Sequence, residues 1–267
     1  MKITDIHTHA FPDSLADRAM KKLVEEVKED GVHAHLDGRV SSLLASMDDA
    51  GIERSVICSI ATKPDQFEPI LKWSRQVASD RLVPLPSIHP RDPDALARLE
   101  RLKKEGFKGI KLHPYYQDFY LDEDVLLPIY QRLVDLDLML VCHTGFDSAF
   151  PRVRRCDPAR ILAVATRFPK LKMIATHLGS WMDWDEVRRR LVGRPVYMEI
   201  SYTLGQLPDA EARDILMKHP QDYLLFGTDS PWQDQGETLR KLRALNLGPE
   251  RENAMVAGNA ARLLQSA

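Results

Sequence analysis

Seven polar side chains fall in a pattern that suggests chemistry before any fold is assumed. His7 and His9 form an HxH pair, Lys111 and His113 a second alternating pair, and His143, His177 and Asp229 follow singly, each at or just after the end of a short apolar run. Residues i and i+2 of a strand point to the same side, so His7 and His9 together offer half a chelate while Thr8 faces away. A third imidazole and a carboxylate from other strands would complete a four-ligand site for Zn2+ or a similar ion, with one position open to water. An isolated HxH is weak evidence, and the chain contains another, His33-Ala34-His35. That pair lies in a polar stretch between two helical patterns, with no strand to aim it, and reads as a solvated loop. The first pair differs because its companions each end a different run, whereas unrelated core histidines would scatter over helices and both strand ends.

The elements that must position these groups alternate regularly. Apolar runs at 2–7, 55–60, 82–88, 109–113, 139–143, 173–177, 196–200 and 223–227 are short, bounded by turn residues, and read as strands buried on both faces. Amphipathic stretches separate them. Residues 94–105 carry Leu96, Leu99 and Leu102 and stop at Gly106, while 122–137 and 157–168 open on acidic residues suited to helix starts. Pro93 and Pro158 sit where first-turn prolines are tolerated. Eight strands alternating with helices predict parallel βαβ units, closed as a single (β/α)8 TIM barrel over 1–267 or left as an open doubly wound sheet. No GxGxxG follows the first strand and no GxxxxGK[ST] occurs, so nucleotide-binding open sheets lose support. After strand 1, residues 15–29 and 39–50 predict a helical insertion joined by a polar loop, 30–38. In a barrel the C-terminal strand ends meet on one face, where catalytic groups of this fold are found.

Composition limits the partners. The net charge of −2 supplies no basic field for nucleic acid. No apolar run approaches the roughly 20 residues needed to span a bilayer, and the first residues lack a signal-peptide pattern. Cys58, Cys142 and Cys156 are odd in number and contain no CxxC pair, which argues against a disulfide framework or thiolate zinc and fits a cytoplasmic protein. The expected partner is a small molecule.

Five ordered segments, HTH at 7–9, GIKLHP at 109–114, VCHTG at 141–145, ATHLG at 175–179 and FGTDSPW at 226–232, resemble the amidohydrolase superfamily. The resemblance is to its amidohydrolase-2 branch, which includes aminocarboxymuconate-semialdehyde decarboxylase and its relatives, and the ending GNAARLL at 258–264 is similar to that branch's too. The resemblance implies that His7, His9, His143 and Asp229 bind one divalent metal, most readily zinc, and that His177 stands beside a metal-bound water as acid/base residue, with Asp229 also orienting that water. Three neutral imidazoles and one carboxylate leave a net positive site, which lowers the pKa of bound water toward roughly 7. A neighbouring histidine can then exchange protons near neutral pH. Branch relatives are often dimers, which leaves room for a homodimer whose second subunit contributes an arginine.

Lys111 has two readings. Many superfamily members carboxylate a lysine at this strand end to bridge a second metal; in this branch one metal is more usual, and Lys111 with His113 then lines the substrate pocket. Two reactions compete as well. Hydrolysis of an amide, lactone or similar carbonyl compound is preferred, and non-oxidative decarboxylation of an unsaturated or aromatic acid is the alternative. A decarboxylase needs cations for substrate carboxylates, which Arg152, Arg154, Arg155 or Lys111 could supply, although an arginine run is more often a solvated loop face. A metal-binding barrel without catalysis is disfavoured, because metal storage has no use for His177. His89 is a candidate for the pocket rim. Phe11, Tyr115, Tyr116, Phe146, Trp181, Trp184, Tyr202 and Trp232 are candidates for a partly apolar pocket wall.

Overall fold

The computed structural model describes residues 2–27 and 32–265. Strands β1 (Thr4–Thr8), β2 (Arg54–Cys58) and β3 (Leu82–Leu85) pair in parallel in that order. So do β4 (Gly109–Leu112), β5 (Met139–Cys142), β6 (Met173–Ala175), β7 (Tyr197–Glu199) and β8 (Leu224–Leu225). Backbone hydrogen bonds bridge both seams. Lys111 N donates to Pro86 O, Ile6 N to Phe226 O, and Asp229 N to His7 O at 2.7 Å. Eight parallel strands thus form the expected TIM barrel.

Alternation along the strands divides the core in two. Ile57, Ile110, Leu140 and Met198 face outward under the helices. Val56, Leu85, Val141, Ile174 and Leu225 face the barrel interior, plugged from below by Leu263 and Leu264 of α11 (Asn259–Gln265). Each fully buried side chain of this kind contributes roughly 1.5–3 kcal/mol. Helix α4 (Ala95–Lys104) buries Leu99 and Leu102, with Leu96 packed against the same cluster, as the spacing predicts. Helix α6 (Pro158–Arg167) begins with Pro158, and the Asp157 carboxylate accepts from Ala159 N at 3.0 Å.

The insertion after β1 consists of α1 (Asp13–Val27) and α2 (Val40–Ala50), between which His33 and His35 are exposed in a loop. The expected helix at 15–29 starts two residues earlier, and its last two residues lie outside the described residues, as do 30 and 31 of the expected loop. The single helix expected at 122–137 is instead a 3-10 turn, Asp124–Leu126, leading into α5 (Leu127–Asp135). Pro128 at the start of α5 accounts for the break, because it has no N–H to continue the ladder. Helices α3 (Phe67–Val77), α7 (Trp184–Arg190), α8 (Asp209–Lys218), α9 (Gln235–Ala244) and α10 (Pro249–Asn253) complete the outer layer. Among the described residues no helix is long and apolar enough to cross a membrane. All three cysteines are buried and free.

Candidate active site

Strand β1 does not deliver its histidines by simple alternation. Asp5 faces outward, where its carboxylate accepts from Thr228 N, Thr228 Oγ1 and Gln235 Nε2, and Ile6 faces the barrel interior. His7 should then face out. The register shows why it does not: Asp5 pairs with Ser55 but Thr8 with Ile57, so β1 carries one extra residue there. This bulge turns His7 inward beside Ile6, and normal alternation then brings His9 to the same side.

Three of the four expected ligands meet. His7 Nε2, His9 Nε2 and Asp229 Oδ1 lie 3.0–3.2 Å from one another. The far nitrogen of each ring is committed elsewhere. His7 Nδ1 faces Glu199 Oε1 at 3.1 Å, and His9 Nδ1 faces the Cys58 carbonyl oxygen at 2.7 Å. A carbonyl or carboxylate oxygen can only accept, so both Nδ1 atoms carry the proton and both Nε2 atoms are bare lone pairs.

The same reasoning extends to the two remaining histidines. His143 Nε2 donates to the Phe146 carbonyl at 3.0 Å, leaving Nδ1 bare and 3.1 Å from His177 Nε2. Ser201 Oγ donates to Glu199 Oε1 at 2.7 Å and therefore accepts from His177 Nδ1 at 2.9 Å, which leaves His177 Nε2 bare. Four unprotonated ring nitrogens and a carboxylate thus face a common region. Lys111 Nζ, fully buried and 2.8 Å from His7 Nε2, is the donor that touches this set. One ammonium cannot satisfy so many converging acceptors, and the set fits a divalent cation. His143 is not in the compact triad of His7, His9 and Asp229; it reaches that triad through His177, whose ring centroid lies 5.7 Å from that of His7.

A second grouping, His113, His143 and Asp147, also brings potential ligand atoms close. His113 Nε2 lies 3.3 Å and His143 Nε2 3.8 Å from Asp147 Oδ2, and the two rings stack at 4.2 Å. Here the proton assignment runs the other way: His143 Nε2 is already a donor to Phe146 O, so it has no lone pair to give. This grouping reads as hydrogen bonding around an acidic loop residue.

Electrostatics agree with this division. Burial, and then Lys111, push the His7 imidazole well below its ordinary value. Burial pushes His177 down to about 4, against the opposing pull of Asp229 and Glu199. Burial raises the Asp229 carboxyl, and protonation of the adjoining His7 and His9 rings would hold it well below the usual carboxylate range, a pull that a bound cation would supply when their nitrogens are bare. Near neutral pH His7 and His177 are therefore neutral imidazoles beside the Asp229 carboxylate. The backbone is strained at the same place, since His177, Tyr202 and Asp229 are non-glycine residues with φ of 55–59°. Such conformations cost of order 1–3 kcal/mol each and cluster at functional sites.

Glu199 and Ser201, at the end of β7, were missed in the sequence. Glu199 is fully buried and accepts from His7 Nδ1, His177 N, Ser201 Oγ and Ser201 N. Gly227 makes room for it, since a Cβ there would stand 2.3 Å from Glu199 Oε2. A lone acid inside the apolar run 196–200 was the available signal.

The site lies in a cavity of about 550 Å3 that also includes Lys111 and His113. Phe11, Tyr116, Phe146, Trp181, Tyr202 and Trp232 line it as expected. Tyr115 Oη instead lies between the Val153 and Gly145 carbonyls, within donating distance of either, and Trp184 Nε1 donates to His177 O. His89 is away from the cavity lining and accepts from Arg91 N. The arginine run is not in the cavity lining: Arg154 pairs with Asp183 and Arg155 with Asp118, while Arg152 lies over the lining Phe146 ring.

No protein of curated function matches the sequence. Among solved structures, a TIM-barrel protein of uncharacterised function from Bordetella bronchiseptica has a TM-score of 0.79 at 21% identity, over 99% of this chain and 98% of that one. The 5-carboxyvanillate decarboxylase of Sphingomonas paucimobilis has 0.71 at 16%, over 99% of both chains. The 5-carboxyvanillate decarboxylase of Novosphingobium aromaticivorans, complexed with manganese, has 0.69 at 17%, over 99% and 96%. At these identities the likeness establishes the fold. Residues 4–265 match the family model Amidohydro_2, described as amidohydrolase. With its barrel, its inward HxH pair and its Asp229 in place, the chain belongs to the amidohydrolase family in its Amidohydro_2 branch.

Proposed function

We propose that this protein is a metal-dependent hydrolase acting on an amide, lactone or similar carbonyl compound. The observation that carries the reading is the convergence of bare His7 and His9 nitrogens on the Asp229 carboxylate, with the bare nitrogens of His177 and His143 facing each other beside that triad. His7, His9, His143 and Asp229 would hold the ion, and three nitrogens with one oxygen favour zinc. A divalent metal bound there supplies a Lewis acid and an acidified water.

The chain's own residues do the rest. His177 Nε2 takes a proton from the attacking water and returns it to the leaving group, while Ser201 and Glu199 fix its tautomer through Nδ1. Asp229 orients the water. Lys111 and His113 border the substrate, Lys111 placing a positive charge where an oxyanion would develop.

The second reading is decarboxylation, favoured by the activities of the two named structural neighbours. Against it, Arg154 and Arg155 are paired with Asp183 and Asp118 and none of the three arginines lines the cavity, Arg152 lying over the lining Phe146 ring, so holding several substrate carboxylates would fall to Lys111 and the metal. Incubating zinc- and manganese-loaded protein with ester, lactone and aromatic-acid panels in 18O water separates the two. Label in the product acid supports hydrolysis; CO2 release without label overturns it in favour of decarboxylation.

A further inference from the structure

Helix α1 is apolar on more than its core face. Ala16 and Met20 are its buried residues. Leu15, Ala19, Leu23 and Val27, spaced by four and hence aligned along one side, line the cavity, which Met20 also reaches. Leu15 is 40% exposed, among the few large apolar side chains so open to solvent. Helix α3 answers from across the cavity. It buries Phe67 and Leu71 in the core but presents Pro69, Ile70 and Trp73 to the same space. Two apolar stripes that line the same open cavity stay partly exposed to water, and a further apolar group would bury what remains.

The space between the stripes is continuous with His7, His9 and Asp229. Along α1 the stripe runs for about 18 Å at 1.5 Å per residue, well beyond the reach of a compact acid. Its outer charges cancel: Lys22 Nζ lies 3.6 Å from Glu26 Oε1, and Glu26 accepts from Tyr116 Oη. Among the described residues, the cation that α1 brings to the cavity lining is thus already paired.

We infer that the substrate is an elongated amphiphile, whose reacting carbonyl sits at the histidine cluster and whose alkyl or aryl extension lies between α1 and α3. This rests on reading the cluster as the catalytic centre, and it narrows the substrate class to compounds with an extended apolar group on the carbonyl.

The test is calorimetric titration of the metal-loaded enzyme with straight-chain hydroxamates from acetyl to decanoyl. Affinity should rise about two- to fourfold per methylene while the chain is entering the groove. Leu15→Asp, at an exposed position that threatens no packing, and Leu23→Asp should each flatten that rise. Equal affinity across the series, binding at no length, or an undiminished rise in both variants overturns the inference. Ester cleavage assayed in parallel keeps the two claims apart. A steep chain-length dependence with no ester cleaved keeps the groove and removes the hydrolase, whereas cleavage of short and long esters with a flat binding series does the reverse.

Discussion

Two histidine groups lie side by side in this barrel and differ in where their protons go. In the first, His7, His9 and His177 each give a proton to a partner on the outer side of the ring; the freed nitrogens of His7 and His9 face Asp229, and that of His177 faces His143 Nδ1. In the second, His113 and His143 turn Nε2 toward Asp147, but His143 spends that nitrogen on the Phe146 carbonyl. Proximity of histidine to carboxylate is the same in both. What separates a cation site from a hydrogen-bonded cluster is the set of committed second nitrogens, which orient and raise the basicity of the first. His143 links the two, offering Nδ1 to the first group while anchored in the second.

The largest expected contrast is in metal content. His9→Ala, Asp229→Asn and His143→Ala should each lose nearly all bound metal and activity, while Asp147→Asn should retain the metal, as read by elemental analysis of purified protein. Equal loss in Asp147→Asn would erase the distinction between the groups. Next comes His177→Ala, which should keep its metal yet lower kcat by about 10^2–10^4; metal loss matching that of His143→Ala would make His177 a ligand. Glu199→Gln should weaken metal affinity by about 10–100-fold, because His7 and Ser201 lose their charged acceptor, measured by competition with a chromogenic chelator. An affinity unchanged by that substitution would show that commitment of the outer nitrogen is not what builds the site.

The smallest effect concerns a histidine outside both groups. His219 Nε2 donates to Val196 O, and burial pushes its imidazole down to about 4 from an ordinary 6.5. The unfolded chain therefore takes up a proton between those values that the native state refuses, so stability falls as pH drops through this window. His219→Gln should flatten that part of the Tm-against-pH curve without changing metal content. A curve unaltered between pH 7 and 4 would remove His219 from the account of acid lability.

Much of the site could be read from residue order, because short apolar runs and their polar ends specify strands and the face on which they finish. The i, i+2 rule put His7 and His9 on one side, and so they are, but the structure reaches that result through a bulge that the sequence does not announce. His177 was assigned to a strand end and lies just past it, in a left-handed turn, His177–Gly179, that periodicity cannot foresee. Glu199 escaped notice because its importance comes from partners in β1 and β6's following turn, a relation that exists only after closure. The helix expected across 122–137 overlooked the capacity of Pro128 to restart the backbone.

The central claim is best met by anomalous X-ray scattering from crystals loaded with zinc. The account predicts one peak, bounded by His7 Nε2, His9 Nε2, His143 Nδ1 and Asp229, with His177 adjacent but not bonded. A peak between His113, His143 Nε2 and Asp147 instead, or none near His7 and His9, would contradict it.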